Sequence, residues 1–176
     1  MLGLGFRISE APFQVDYLPI DEDHPLRPED TYSLSKVLDE ELLKAFSRAY
    51  NIDCIALRLM GVDYPHWRRI PFDTTPQPTQ GQQTPFGAFQ YVEAEDVALA
   101  CRLALEKDDI RGFEAFYIGT DTFLAEDTAV VLKRLYPDLA ATWADRFEGK
   151  AGLIGIEKAR RLLGIAPQHS WRPSED

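Results

Sequence analysis

The chain has 176 residues, of which 45% are hydrophobic, and a formal net charge of −10 at pH 7. This length and composition are typical of one globular domain with a core of useful size. So acidic a surface repels phosphate backbones, which argues against nucleic acid as a partner. No segment approaches the roughly 20 apolar residues of a membrane span, and the first residues lack the pattern of a signal peptide. We therefore expect a cytoplasmic protein without a membrane partner.

The cysteines and histidines give no sign of a metal site. Cys54 and Cys101 each lie inside an apolar segment, which predicts two buried free thiols. The three histidines, at positions 24, 66 and 169, are scattered in proline-rich surroundings and show no spacing typical of metal ligands. We expect no bound metal.

The first predicted element is a helix over residues 31–50, after a stretch interrupted by four prolines. Its apolar residues recur at steps of three and four, which is the pattern of an amphipathic helix. Asp30 or Thr31 can cap its start, and Asn51 can end it because asparagine tolerates the left-handed conformation.

A strand and a long loop follow this helix. The nearly continuous apolar run over residues 54–60 predicts a strand covered on both faces, and Gly61 and Pro65 are expected to end it. Residues 65–90 are rich in proline, glutamine and threonine. Loops of this length usually cover a site or are disordered.

The remaining elements complete an alternation of helices and strands. The pattern predicts helices over residues 94–106, 122–136 and 156–163, a strand over 113–118, and a frayed end from Arg172 onward. Pro137 and Gly164 are expected to end the last two helices. This order predicts an α/β fold with a parallel sheet. It contains two convincing strands, whereas a doubly wound sheet normally has five or more.

Tyr32 and Lys36 are the strongest candidates for chemistry. Four residues apart, they lie on the same face of a helix. A free phenol has a pKa of about 10, and a nearby ammonium lowers that pKa by favouring the phenolate. Such a tyrosine can take a proton from a hydroxyl or give one to a carbonyl. A helix that merely contains these residue types at this spacing is the alternative.

Five segments in the same order resemble those of the extended short-chain dehydrogenases, the NAD-dependent epimerase/dehydratase family. They span residues 25–36, 55–65, 89–98, 116–119 and 159–171. The resemblance implies the C-terminal part of a Rossmann-like doubly wound parallel sheet with a small substrate-binding region. Residues 1–64 and 91–120 would form the sheet part, 65–90 and 121–172 the substrate-binding region, and 173–176 a tail. The N-terminal dinucleotide-binding half is expected to be absent.

The resemblance also implies roles for individual residues. Tyr32 would be the acid/base, and Lys36 would lower its pKa and hold the ribose of NAD or NADP, so that both contact the cofactor. Leu59 and Met60 would line the nicotinamide pocket. The substrate would be sugar-like, with a nucleotide sugar as one possibility. Gly61, a candidate substrate contact, stands about where many sugar-nucleotide enzymes carry a substrate-contacting asparagine. This difference argues against a nucleotide sugar and leaves a different hydroxyl or carbonyl compound open.

Further candidates lie in the loop and at the next helix. Arg68 and Arg69, beside Trp67, could meet an anionic substrate group and stack on its ring. The alternative is a solvated pair that balances local acid. Asp96 is interpreted as a helix N-terminal residue favoured by the helix dipole, not as a catalytic group.

The expected cofactor cradle is missing from the start of the chain. Gly3 and Gly5 are followed by Ile8, where the glycine-rich motif would require a third glycine. The resemblance places the family's substrate-binding Ser or Thr before Met1. Ser9 would take this role only if the chain's start aligns with the family several residues away from this placement. We therefore expect this chain by itself to be inactive. The alternative function is a truncated, non-catalytic fragment or a self-associating interaction module. Because the family dimerises through the helix that carries the Tyr/Lys pair, a homodimer is expected.

Overall fold

The computed structural model describes residue 8 and residues 15–76 and 86–172. The candidates Gly3, Gly5 and Ser9, the loop residues 77–85 and the tail 173–176 lie outside the described part of the chain. Within it, the helices are α1 Thr31–Tyr50, α2 Ala94–Glu106, α3 Thr128–Leu135, α4 Pro137–Trp143 and α5 Glu157–Leu163. The strands are β1 Cys54–Leu59, β2 Gly61–Asp63, β3 Tyr91–Glu93 and β4 Phe113–Ile118. Short 3-10 turns cover Phe86–Phe89 and Ala144–Arg146.

The strands form two parallel pairs. β1 pairs with β4, in register from Cys54 opposite Phe113 onward, and β2 pairs with β3. The backbone N–H of Met60, between β1 and β2, donates to Ile118 O at 3.0 Å. Helix α2 connects β3 to β4, so the predicted α/β fold with parallel strands is confirmed.

β1 ends at Leu59, one residue before the predicted end, but a second strand that was not predicted, β2, begins at Gly61. A strand pair needs only backbone donors and acceptors, and Gly61 finds them opposite Tyr91. The predicted coverage of β1 on both faces is also wrong. Most of the strand is only partly buried, and Leu59 at its end is exposed. Coverage depends on distant segments, which the local apolar run cannot reveal.

Helix α1 has the predicted bounds. Of the two proposed caps, Asp30 takes the role, because its Oδ1 accepts from Ser33 N at 2.8 Å. Asn51 ends the helix with φ 53° and ψ 45°, as predicted. The helix turns an apolar stripe toward solvent, formed by Leu34, Leu38, Leu42 and Phe46.

The core is centred on β3 and β4. Its most deeply buried side chains include Tyr91, Val92, Phe116, Tyr117 and Ile118, each at most 1% exposed. Helices α2 and α5 pack beside these strands, and α3 and α4 pack against each other. None of the described helices is both long and apolar enough to cross a bilayer.

Three local predictions need correction. Helix α3 begins at Thr128 instead of residue 122, because Thr122 N bonds Lys150 O in a loop. Pro137 opens α4, at a position where its missing N–H costs nothing. Cys101 is exposed, on the outer side of α2, whereas Cys54 is buried as predicted.

Candidate functional site

Tyr32 and Lys36 lie in the first two turns of α1 and face solvent. Tyr32 is 59% exposed, and Lys36 Nζ lies 5.8 Å from the centroid of its ring. The pair therefore has the side-by-side arrangement expected from its spacing, on a surface that a ligand can reach.

Lys36 has a second neighbour one turn further along. Its Nζ donates to Asp39 Oδ2 at 2.8 Å, and this hydrogen bond and ion pair raise the pKa of Lys36. The ammonium is thus held charged beside the Tyr32 ring at neutral pH. An ammonium has three donors, so it can still meet a ligand's hydroxyl groups while bound to Asp39.

The residues at the end of β1 differ in accessibility. Leu59 is 37% exposed, whereas Met60 is 4% exposed. A Cβ added to Gly119 would lie 2.7 Å from Met60 Cγ, so this close packing requires glycine at that position. Gly61 is half-buried at the start of β2. In open α/β sheets, ligands bind outside the carboxyl ends of the strands, which is where Leu59 lies.

Arg68 lies at the surface and pairs with two buried carboxylates. Its Nη1 lies 2.8 Å from Asp63 Oδ2 and 2.6 Å from Glu93 Oε1, and both acidic side chains are at most 2% exposed. Burial alone would raise the pKa of Asp63, but hydrogen bonds from Arg68 and from two backbone N–H groups outweigh it and lower that pKa. The Arg68 side chain is 38% exposed and balances local acid, as the alternative expected, although the acidic neighbours themselves are buried.

Arg69 and Trp67, on either side of Arg68 in the sequence, form an exposed stack. The Arg69 guanidinium lies 5.2 Å from the centroid of the Trp67 ring, and Trp67 is 68% exposed. Tyr64, 45% exposed, accepts at its backbone O from Trp67 N at 3.0 Å. The loop therefore presents a cation stacked on an aromatic ring just after β2.

Asp96 has a role that its local sequence did not suggest. It is fully buried and accepts at 3.0 Å from the backbone N–H groups of Gln168 and His169. Arg172, expected to be frayed, donates to Thr122 O at 2.6 Å. Because these contacts join segments at least 50 positions apart, no local pattern could have revealed them.

The described residues contain no group of three or more His, Cys, Asp or Glu side chains that could hold a metal ion.

Comparison with known proteins relates this geometry to one family. Residues 11–119, more than half of the chain, match the NAD dependent epimerase/dehydratase family. A putative UDP-glucose 4-epimerase from Methanocaldococcus jannaschii is 45% identical over 47 residues, which are 27% of this chain and 15% of that protein.

Two solved structures share the fold. A UDP-glucose 4-epimerase from Thermotoga maritima, with UDP-glucose, is 22% identical with a TM-score of 0.55, over 89% of this chain and 54% of that one. A short-chain dehydrogenase/reductase superfamily protein from Agrobacterium tumefaciens, with bound NAD, is 18% identical with a TM-score of 0.59, over 89% of this chain and 58% of that one.

The chain thus spans just over half the length of these solved relatives, and its parallel α/β elements match their Rossmann-like fold. The family match covers the segment that carries both Tyr32 and Lys36. The chain belongs to the NAD dependent epimerase/dehydratase family.

Proposed function

We propose that the protein carrying this chain is an NAD-dependent epimerase, dehydratase or dehydrogenase that acts on a hydroxyl or carbonyl group of a sugar nucleotide. One observation carries the proposal: within a chain of this family, Tyr32 and Lys36 lie together on an exposed helix face. NAD in one structural neighbour and UDP-glucose in another support the choice of cofactor and substrate class.

In this proposal, Tyr32 moves the proton. Its phenol takes a proton from a substrate hydroxyl or returns one to a carbonyl, and the Lys36 ammonium favours the phenolate. The remaining donors of Lys36 would hold ribose hydroxyls of NAD, and Leu59 offers an exposed apolar surface for the nicotinamide, with the buried Met60 behind it. Bound NAD would supply the hydride acceptor.

For the substrate, we propose the Trp67–Arg69 stack as the contact with an anionic group. Arg68 was the sequence-based choice, but its guanidinium is already paired with two buried carboxylates. The charged Arg69 guanidinium stacks on an exposed ring, and its side chain forms no ion pair with a carboxylate among the described residues. Gly61, at the start of β2 between β1 and this stack in the sequence, is retained as a proposed substrate contact.

Cofactor binding tests the proposal directly. The chain is titrated with NAD and with NADH, and binding is followed by calorimetry and nicotinamide fluorescence. The proposal is supported if NAD or NADH binds with a Kd below about 100 μM and if Lys36→Met weakens that binding. The matched control is Lys44→Met. Lys44 lies two turns beyond Lys36 on α1 and pairs with Glu41. No binding, or equal loss in both variants, contradicts the proposed use of Lys36 in this chain.

A self-associating interaction module is the second candidate. It is favoured by the apolar stripe of α1, whose four side chains are 46–58% exposed. Two copies that pack these stripes together would form a homodimer and bury the stripes. Light scattering after size exclusion tests this. A dimer that Leu38→Glu converts to a monomer supports the module, and a monomeric wild-type chain at high micromolar concentration contradicts it.

A further inference from the structure

The buried side chains of helix α1 are all polar. The residues of the helix that are buried are Ser33, Glu40 and Ser47, and none of them is apolar. A hydrophobic interface alone tolerates small shifts of a helix, because it is not directional. Directional bonds to the sheet are therefore needed to fix where the N-terminal turns of α1 lie.

The bond with the required direction joins Glu40 to Arg58 of β1. Arg58 Nε donates to Glu40 Oε1 at 2.8 Å and Nη2 donates to Oε2 at 2.9 Å, so the contact is bidentate. The two side chains are 10% and 7% exposed. The guanidinium also lies 5.0 Å from the ring centroid of Tyr117 in β4, and Nη1 donates to Glu22 O at 3.3 Å.

The position of this pair in the chain connects two parts of the proposed site. Glu40 is one helical turn beyond Lys36 and two turns beyond Tyr32, so it belongs to the same rigid helix. Arg58 directly precedes Leu59, at the end of β1 where the proposed nicotinamide surface begins. A planar guanidinium and a carboxylate in bidentate contact fix both distance and orientation.

We propose that Glu40 and Arg58 are the positioning pair that sets the Tyr32–Lys36 helix against the end of β1, an inference that rests on the proposed function. Neither residue touches the reacting atoms. The pair acts by fixing the register of α1 along β1, and Tyr117 and Glu22 O also contact the guanidinium. Loss of the pair lets the proton-transfer group move relative to the strand end.

A distance measurement tests the proposal without relying on activity. Nitroxide labels are placed on Ser35→Cys in α1 and on the exposed Cys101 in α2, in a Cys54→Ala background. Pulsed electron paramagnetic resonance then gives the distribution of distances between the labels. The test variant is the double change Glu40→Met with Arg58→Met, because apolar residues often replace a buried ion pair without loss of stability.

The matched control is Glu41→Gln, which removes the exposed pair with Lys44 one residue along the same helix. We expect the double variant to fold cooperatively and to show a distribution that is clearly wider or displaced by on the order of 2 Å. The control should retain the parent distribution. A folded double variant with an unchanged distribution overturns the proposal, as does a control that changes equally.

If the double variant does not fold, the same distance measurement on Arg58→Lys tests the proposal instead. This variant keeps the cation and loses the planar fork, so an unchanged distribution again overturns the proposal and a widened one supports it. Failure of the proposed function is separately visible. It shows as absent turnover of a UDP-sugar with NAD by the complete protein, whereas the distance distributions report the positioning of α1 whether or not NAD binds.

Discussion

His169 Nδ1 lies 2.9 Å from Oδ1 of the buried Asp96, although the two residues are 73 positions apart in the sequence. The same carboxylate accepts two backbone N–H groups of this segment, from Gln168 and His169. One side chain in the first turn of α2 therefore holds the C-terminal segment. A separate hydrogen bond, from the backbone N–H of the nearby Trp171 to Tyr91 OH, connects the same segment to β3.

The contact predicts a pH-dependent stability. The hydrogen bond that His169 donates to the Asp96 carboxylate raises the pKa of His169 above its ordinary 6.5. Protonated His169 therefore stabilises the fold fully below about pH 6.5, and this contribution is lost as the pH rises through the folded-state pKa. We expect the free energy of unfolding to fall over that interval in the wild type. Urea denaturation across pH 6–9 measures it.

The control for this prediction is His169→Gln, which should lack that particular fall because the titrating group is gone. An NMR titration of the imidazole provides an independent check. A His169 that titrates at or below pH 6.5 would contradict the assignment.

Gly152 is predicted to be intolerant of a side chain. A Cβ at this position would overlap the amide of Gln90, which donates to Ile154 O at 3.0 Å and accepts from Ile154 N at 2.9 Å. Displacing the amide breaks both bonds, so Gly152→Ala should lower the free energy of unfolding by about 2–3 kcal/mol. Chemical denaturation measures this.

Gly155 provides the control. A Cβ there would lie 3.7 Å from Ile20 O, which is an ordinary contact, and Gly155→Ala should change stability by less than about 1 kcal/mol. Equal costs at the two glycines would show that steric overlap with Gln90 is not the cause.

Tyr32→Phe should abolish proton transfer while leaving the fold intact. If the proposed function is correct, turnover of a UDP-sugar by the complete protein with NAD should fall by about 100-fold or more. The melting temperature should stay within about 1 °C, because the 59% exposed side chain contributes little to packing. Tyr50→Phe, at the other end of the same helix and 67% exposed, is the control and should retain activity. Full turnover by Tyr32→Phe would remove Tyr32 from the mechanism.

Local signals in the sequence predicted much of this fold. The period of apolar residues gave α1 and α2 their bounds, and Asn51 and Gly164 ended helices in the left-handed conformation, as expected. These features depend on residues within one or two turns of each other. The strand bounds of β4 were likewise confirmed, because its apolar run is delimited by Gly119.

Contacts between distant segments were not predictable in the same way. β2 depends on a parallel neighbour some 30 residues later, and Asp96 finds its hydrogen bonds more than 70 residues later. Pro137 was read as a stop, although the same residue type opens helices, and local sequence does not choose between the two. For the candidate site, the sequence predicted that Tyr32 and Lys36 lie side by side on one helix face, but not the buried carboxylates around Arg68.

Arg68 and Arg69 provide the sharpest separation between a structural and a ligand-binding arginine. Arg68→Met would leave the buried carboxylates of Asp63 and Glu93 without their cation. We expect it to lower the free energy of unfolding by about 2–4 kcal/mol, below the range for a fully buried pair because Arg68 is 38% exposed. Thermal and urea denaturation measure the loss.

Arg69→Met is the matched change on the neighbouring residue. It removes an exposed cation stacked on Trp67, so stability should change by less than about 1 kcal/mol. Affinity for a UDP-sugar, measured by calorimetry on the complete protein, should instead fall about 10-fold, since the ligand loses its contact with a charged donor. An Arg68→Met variant with unchanged stability and weaker binding of the UDP-sugar would give the ligand-binding role to Arg68. In that case the substrate replaces Asp63 and Glu93 as the partner of its guanidinium.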